Sequence, residues 1–254
     1  MRILLNLESL KDCEYDLKYF HKLQGFIYNL IKENEYKILH NKIGYKFFCF
    51  SNIYPFKNIN IGDKRKLMIS SPDKFLIKYL KERLEKLTEE NIPINIGEMS
   101  FKLSSISILN TKIKNNSRLI STTPIIIRIP EKNYDKYGIP TNYRKKRYVY
   151  WRPQYSFEAF IKQLENNLFK KYNEFYKTRI EEFPIFEEMK YKRLVVSHIL
   201  INGKEYKLVG SIWEFIFTYL NNRQRKILEF GMDCGFGERN SFGFGFVNKK
   251  NEVN

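Results

Sequence analysis

The sequence predicts an α+β protein made of two tandem ferredoxin-like (RRM-like) units, and three observations lead there. The first half alternates strand and helix signals in the order strand–helix–strand–strand–helix–strand, the split βαβ pattern. The second half repeats that order loosely, without repeated sequence. Between them runs a polar stretch, Thr111 to Arg118, the seam expected to divide residues 1–117 from residues 118–254.

Each element has its own signal. Arg2 to Leu7 reads as a strand. Leu17, Phe20, Leu23, Ile27 and Leu30 fall on one face at helical spacing, so Asp16 to Ile31 is expected to be a helix. On another face of it His21 and Tyr28 lie seven residues apart. Tyr45 to Phe50, bounded by Gly44 and Ser51, reads as a strand, with Lys66 to Ser70 as its partner. Ser71-Pro72-Asp73 reads as a helix start: a capping hydroxyl, a proline in the first turn and an acid near the dipole. The stripe Leu76, Tyr79, Leu80, Leu84 and Leu87 follows, then strand over Ile92 to Leu109, broken at Gly97. In the second half Pro124 to Ile129 is the expected first strand, and Ser156 the cap of a helix striped by Phe157, Phe160, Ile161, Leu164 and Leu168. Lys192 to Ile201 and Glu205 to Phe217 flank Asn202-Gly203, a strong hairpin signal. A short helix around Gln224 to Phe230 leads into a glycine-rich end.

Composition narrows the partner. Lys and Arg outnumber Asp and Glu by 45 to 28, a formal charge of +17. Such an excess attracts polyanions, and nucleic acid is the commonest of them. Part of the lysine surplus fits an AT-rich coding bias, since the chain holds one alanine, Ala159, amid abundant Lys, Ile, Asn, Tyr and Phe. Cys13, Cys49 and Cys234 are too few and scattered for a disulfide framework or a zinc site. No apolar run approaches the length of a membrane span, and a soluble, cytoplasmic protein is the expectation.

The most specific feature is Gly235-Phe236-Gly237-Glu238-Arg239-Asn240-Ser241-Phe242-Gly243-Phe244-Gly245. Successive amides in a glycine loop can cradle phosphate oxygens; a glycine-rich hairpin without a ligand is the plain alternative. It is not the dinucleotide fingerprint, because Asn240 replaces the third glycine and no helix follows. A second feature is His40, beside Asn41, Lys42 and Gly44 in a polar setting. Histidine exchanges protons near neutral pH. RNA cleavage needs a base for the ribose 2′-hydroxyl, an acid for the departing 5′-oxygen and positive charge on the transition state. Lys42 or Lys46 could supply that charge and a tyrosine hydroxyl could assist; read alone, a loop histidine such as His40 is more often a surface residue than a catalyst. His21 is a second candidate, and His198, among apolar strand residues, suits binding or packing better. A third feature, Tyr143 to Arg152, interleaves Arg144, Lys145, Lys146 and Arg147 with rings, as a surface tracking phosphates and stacking bases would.

The glycine-rich segment resembles the C-terminal signature of the CRISPR-associated endoribonucleases that cut repeat transcripts into guide RNAs (the RAMP type). Gly210, Leu23 to Tyr28 and Phe47 to Ile53 also look like that family. The resemblance implies two ferredoxin-like units and metal-independent cleavage leaving a 2′,3′-cyclic phosphate and a 5′-hydroxyl. By position it implies a catalytic set of His40, Tyr28 and Lys46, with Tyr45 and Lys42 as competing choices. It implies RNA contact at Gly235, Gly237, Arg239, Gly243 and Gly245, added to the basic residues Arg144 to Arg147. CRISPR repeat RNA is the expected partner, with a homodimer and hand-over of the guide RNA to an effector complex as further expectations. No metal and no cofactor are expected. The rivals are a non-catalytic repeat-RNA-binding protein of the same fold and a basic ribosome- or assembly-associated protein.

Overall fold

A computed structural model gives the fold and describes residues 1–15, 19–110, 112–144, 146–201 and 204–250. The first half runs β1 (Arg2–Ser9), α1 (Phe20–Ile31), α2 (Ile38–Asn41), β2 (Cys49–Phe50), β3 (Lys64–Ser70), α3 (Lys74–Glu89), β4 (Ile94–Ile96) and β5 (Met99–Leu109). The second runs β6 (Ser117–Ser121), β7 (Arg128–Pro130), β8 (Tyr148–Tyr150), α4 (Phe157–Tyr176), β9 (Glu188–Ile201), β10 (Lys204–Phe217), α5 (Asn222–Cys234) and β11 (Val247–Lys249).

The strands form an antiparallel sheet in the order β2-β3-β1-β5-β4 and another in the order β11-β6-β10-β9. With β4 set aside as a hairpin extension of β5, both sheets place their first and third strands at the centre. That is the ferredoxin-like order, twice. In β1 the alternation is strict: Ile3, Leu5 and Leu7 are fully buried and pack in one cluster with Leu23 and Ile27 of α1 and Leu76, Leu80 and Leu84 of α3. The second core gathers Trp213, Phe215 and Phe217 of β10 with Phe160, Leu164 and Leu168 of α4. Trp213 and Phe160 stack with centroids 4.3 Å apart.

The two halves are bolted together by a buried cation. Arg2, at the start of β1, is fully buried and donates to the carbonyls of Met232 (2.8 Å) and Val247 (2.6 Å) and to Asn248 Oδ1 (3.0 Å). Asn52 Nδ2 donates to the Thr122 carbonyl, and Cys49 Sγ to that of Phe244.

Several expectations need correction. Only Cys49 and Phe50 of the expected strand Tyr45 to Phe50 pair with β3, because Phe47 sits at φ 52°, outside strand geometry. The second sheet begins at Ser117, inside the stretch read as a seam, where Leu119 supplies the buried residue. Pro124 to Ile127, read as strand, make only isolated bridges from Ile125 to Ser211 and from Ile126 to Glu238; β7 and β8 form a separate ribbon. The cap of α3 is Asp73, whose carboxylate accepts from the Phe75 and Leu76 amides, while Ser71 Oγ accepts from Asp73 N and donates to the Phe47 carbonyl. Ser156 stands at the N-cap of α4 without a capping side-chain bond. The last helix is longer than expected and opens with a capping box between Asn221 and Gln224. Asp16, Leu17 and the Asn202-Gly203 turn lie outside the described residues. No helix among the described residues is long and apolar enough to cross a membrane.

On β10, Glu214 is nearly buried between Lys192 (2.6 Å) and Lys250 (2.8 Å), and bonds from these two ammonium groups lower its carboxyl pKa to about 2. A depressed acid stabilises the fold above its unfolded pKa, and that contribution disappears as pH falls through the folded one. Glu214→Gln is therefore expected to lower the melting temperature at neutral pH and to shrink the loss of stability between about pH 4.5 and pH 2. Melts of both proteins across that window, showing parallel curves, would refute this.

Candidate active site

The chain from α2 to β2 crosses the gap between the halves and brings three predicted residues together. His40 lies in α2, a single exposed turn, with Nδ1 2.8 Å from Asn41 Oδ1. Tyr28 projects from the last turns of α1, its ring edge-on to the His40 ring at 5.0 Å. Lys46 Nζ, half-buried, donates to Tyr28 Oη (2.8 Å) and to the His40 carbonyl (2.8 Å) and lies 5.0 Å from the Tyr28 ring centroid. Burial raises the Tyr28 hydroxyl pKa to about 12, against hydrogen bonds to Ser241 and Gln24, so the phenol stays protonated at neutral pH. Burial also lowers the Lys46 pKa.

The competing residues go elsewhere. Lys42 reaches Glu174 (3.9 Å) and lies over the Phe47 ring. Tyr45 sits 5.9 Å from Phe47 and beneath the Lys171 ammonium. His198 is exposed beside Glu205 (3.1 Å), so of the two roles expected of it, binding or packing, packing does not hold. His21 is half-buried on α1.

Lys46 faces a cleft of about 460 Å³, walled on one side by residues 42–48 and on the other by the glycine-rich segment. Lys42, Lys46, Arg128 and Arg239 give it positive charge. Among the described residues one carboxylate, Glu238, lies on its wall, and it is paired with Arg128. The segment itself differs from a simple phosphate cradle. The amides of Gly235, Phe236, Glu238, Phe242, Gly243, Gly245 and Phe246 are already bonded within the chain. Its glycines answer to packing: a Cβ at Gly245 (φ 72°) would lie 1.9 Å from the Phe236 carbonyl oxygen, and one at Gly243 (φ 84°) 2.4 Å from the Phe50 ring. Arg239 remains exposed at the rim. Gln24 Nε2 of α1 donates to the Ser241 carbonyl (2.7 Å), and Phe20 stacks on Phe244, so the loop is held against the helix that carries Tyr28.

A buried lysine sets the shape of the loop. Lys171 of α4 is 2% exposed, and its ammonium donates to the carbonyls of Gly235 (2.8 Å) and Gly237 (2.6 Å) and to Asn240 Oδ1 (2.6 Å). All three donors are spent, and burial pulls its pKa down.

Residues 108–249 match the family profile described as CRISPR associated protein Cas6, C-terminal. The CRISPR-associated endoribonuclease Cas6 2 of Methanocaldococcus jannaschii is 32% identical over 98% of this chain and 99% of its own length. The chain belongs to the Cas6 family. A CRISPR-associated endoribonuclease Cas6 from Haloferax mediterranei is 29% identical, covering 98% of this chain and 93% of that one. A solved structure called CRISPR associated protein Cas6 superposes with a TM-score of 0.70 at 25% identity over 99% of both chains. The fold is shared further: a structure described as a RAMP protein binding different RNA substrates gives 0.70 at 22% identity, covering 99% of this chain and all of that one.

Within this Cas6 fold the expected basic segment is divided. Arg144 is committed to Asp135 and the Ile139 carbonyl, Lys146 is exposed, and Arg147 is exposed beside a second cavity; Lys145 lies outside the described residues. Trp151, read with the stacking rings, is 4% exposed and packs on Phe160 and Trp213. Arg128 and Lys171 were missed by sequence reasoning. Lys171 carried one signal: it follows Leu164 and Leu168 on the buried stripe of α4. Arg128, at the end of an apolar run, carried none.

Proposed function

We propose that the chain is an endoribonuclease that cuts CRISPR repeat RNA into guide RNAs by attack of a ribose hydroxyl, without a metal ion. The convergence of His40, Tyr28 and Lys46 beside a cationic cleft, whose opposite wall is the glycine-rich loop, carries this reading. Two relatives carry the name CRISPR-associated endoribonuclease Cas6, which supports the cutting of RNA.

In this reaction the 2′-oxygen bonds to the adjacent phosphorus as the bond to the 5′-oxygen breaks. The hydroxyl proton passes to a base and another proton reaches the leaving oxygen. The His40 imidazole, exposed where RNA can reach it, carries one of these transfers. The Lys46 ammonium, held by Tyr28 and the His40 carbonyl, stabilises the extra charge on the phosphorane-like transition state. Tyr28, a neutral phenol, orients Lys46 and does not serve as a base. Arg128 and Arg239 meet neighbouring phosphates.

The products are a 2′,3′-cyclic phosphate and a 5′-hydroxyl. Repeat RNA incubated with the protein in EDTA is expected to yield both ends, and a 2′-deoxy substitution at the cut site to stop the reaction. Cleavage that requires added divalent metal, or that survives the deoxy substitution, overturns the mechanism.

A further inference from the structure

Three residues of α1, Phe20, Gln24 and Tyr28, follow one another at intervals of four and so rise along one ridge of the helix. Each of them meets the glycine-rich loop. Phe20 stacks on Phe244, with centroids 5.6 Å apart. One turn on, Gln24 is buried, and its Nε2 donates to the Ser241 carbonyl (2.7 Å). A turn beyond that, the Tyr28 hydroxyl bonds to the side chains of Ser241 and Gln24. Ser241 belongs to the single turn Asn240–Phe242 and lines the cleft. The ridge therefore joins the loop of the second unit to the catalytic set proposed for the first.

A phenol has one proton to give and oxygen lone pairs to receive. Lys46 Nζ already donates to Tyr28 Oη and to the His40 carbonyl, each at 2.8 Å. The phenol proton must then point away from the ammonium, and on the loop side the Ser241 hydroxyl stands ready to accept it. Without that acceptor the Tyr28 hydroxyl is free to turn its proton toward Lys46, where it repels the ammonium. We infer that Ser241 is a positioning residue for cleavage: its hydroxyl, brought to α1 by Gln24, orients the Tyr28 phenol that presents Lys46 to the scissile phosphate. The inference rests on the cleavage reading above, and it makes cutting depend on the docked loop as well as on the residues around His40.

Cleavage of repeat RNA is followed in single turnover with the full chain in saturating excess, and affinity by filter binding. Ser241→Ala is expected to slow cutting roughly 3–10-fold, the net worth of one hydrogen bond, while affinity stays within about twofold. The Tyr28→Phe background lacks the hydroxyl that Ser241 orients, so there Ser241→Ala is expected to cost nothing further. A merely structural serine would slow both backgrounds alike, and so would one that meets the RNA directly. An unchanged rate in Ser241→Ala, or an equal loss in both backgrounds, overturns the inference while wild-type cleavage stands. A wild-type chain that leaves repeat RNA uncut overturns the cleavage reading, and the inference falls with it.

Discussion

Replacing His40 with alanine is expected to slow cleavage of repeat RNA by about 10²–10⁴-fold, the usual contribution of a positioned acid or base. Affinity for the same RNA should not change. The separation follows from where the residue sits. His40 is exposed on a single turn of helix and contributes neither to the hydrophobic cores nor to the glycine-rich wall of the cleft. Its removal should cost the fold less than about 0.5 kcal/mol. The cations proposed to draw the RNA in, Lys42, Lys46, Arg128 and Arg239, stay where they are. Single-turnover cleavage and filter binding on one labelled RNA give both numbers. Turnover within about twofold of wild type would end the case for His40 as a proton carrier.

Lys171→Met is expected to have the largest effect on stability. Methionine fills the space of the lysine stem but leaves the carbonyls of Gly235 and Gly237 and Asn240 Oδ1 buried without their donor. Orphaned acceptors of this kind cost about 1–3 kcal/mol each, and relief from burying the charge returns part of it. A net loss of about 3–5 kcal/mol is expected, a fall in melting temperature on the order of 10 °C for a chain of this size. The damage should start in the loop, so RNA binding should fail at temperatures where both sheets remain folded. Calorimetry alongside a binding assay reads this out. An unchanged melting temperature would mean that the ammonium does not hold the loop.

These two residues also mark how far the sequence could be read. Strands and helices with a strict period, such as β1 and α3, were legible because burial alone dictates their pattern. The first strand of the second sheet was not: β6 has five residues, of which the middle one, Leu119, is buried and apolar, and the ladder that fixes it comes from β10 and β11, far along the chain. The stretch Pro124 to Ile127 misled for the opposite reason, because its isoleucines are buried by the loop and by β10 without forming a ladder. His40 could be picked out since it stands in polar company. Lys171 could not be separated by composition from the other lysines, most of them solvated; only its phase on α4 distinguished it. The glycines stood out in the sequence for two reasons, close backbone approach and a phosphate cradle, and the packing supports the first. They are required where backbone and rings meet too closely for a Cβ, and the loop's own amides are largely spent.

The guanidinium of Arg2 also sets a timetable for biosynthesis. Its acceptor at Val247 lies 245 residues downstream, and at roughly 5–20 residues per second the ribosome needs on the order of 12–50 s to deliver it. Until then the nascent first unit must keep hydrated a cation that the finished molecule encloses. A translation product interrupted before Val247 would lack that acceptor and the pairing of β11 with β6, and the second sheet would be left without one of its edge strands.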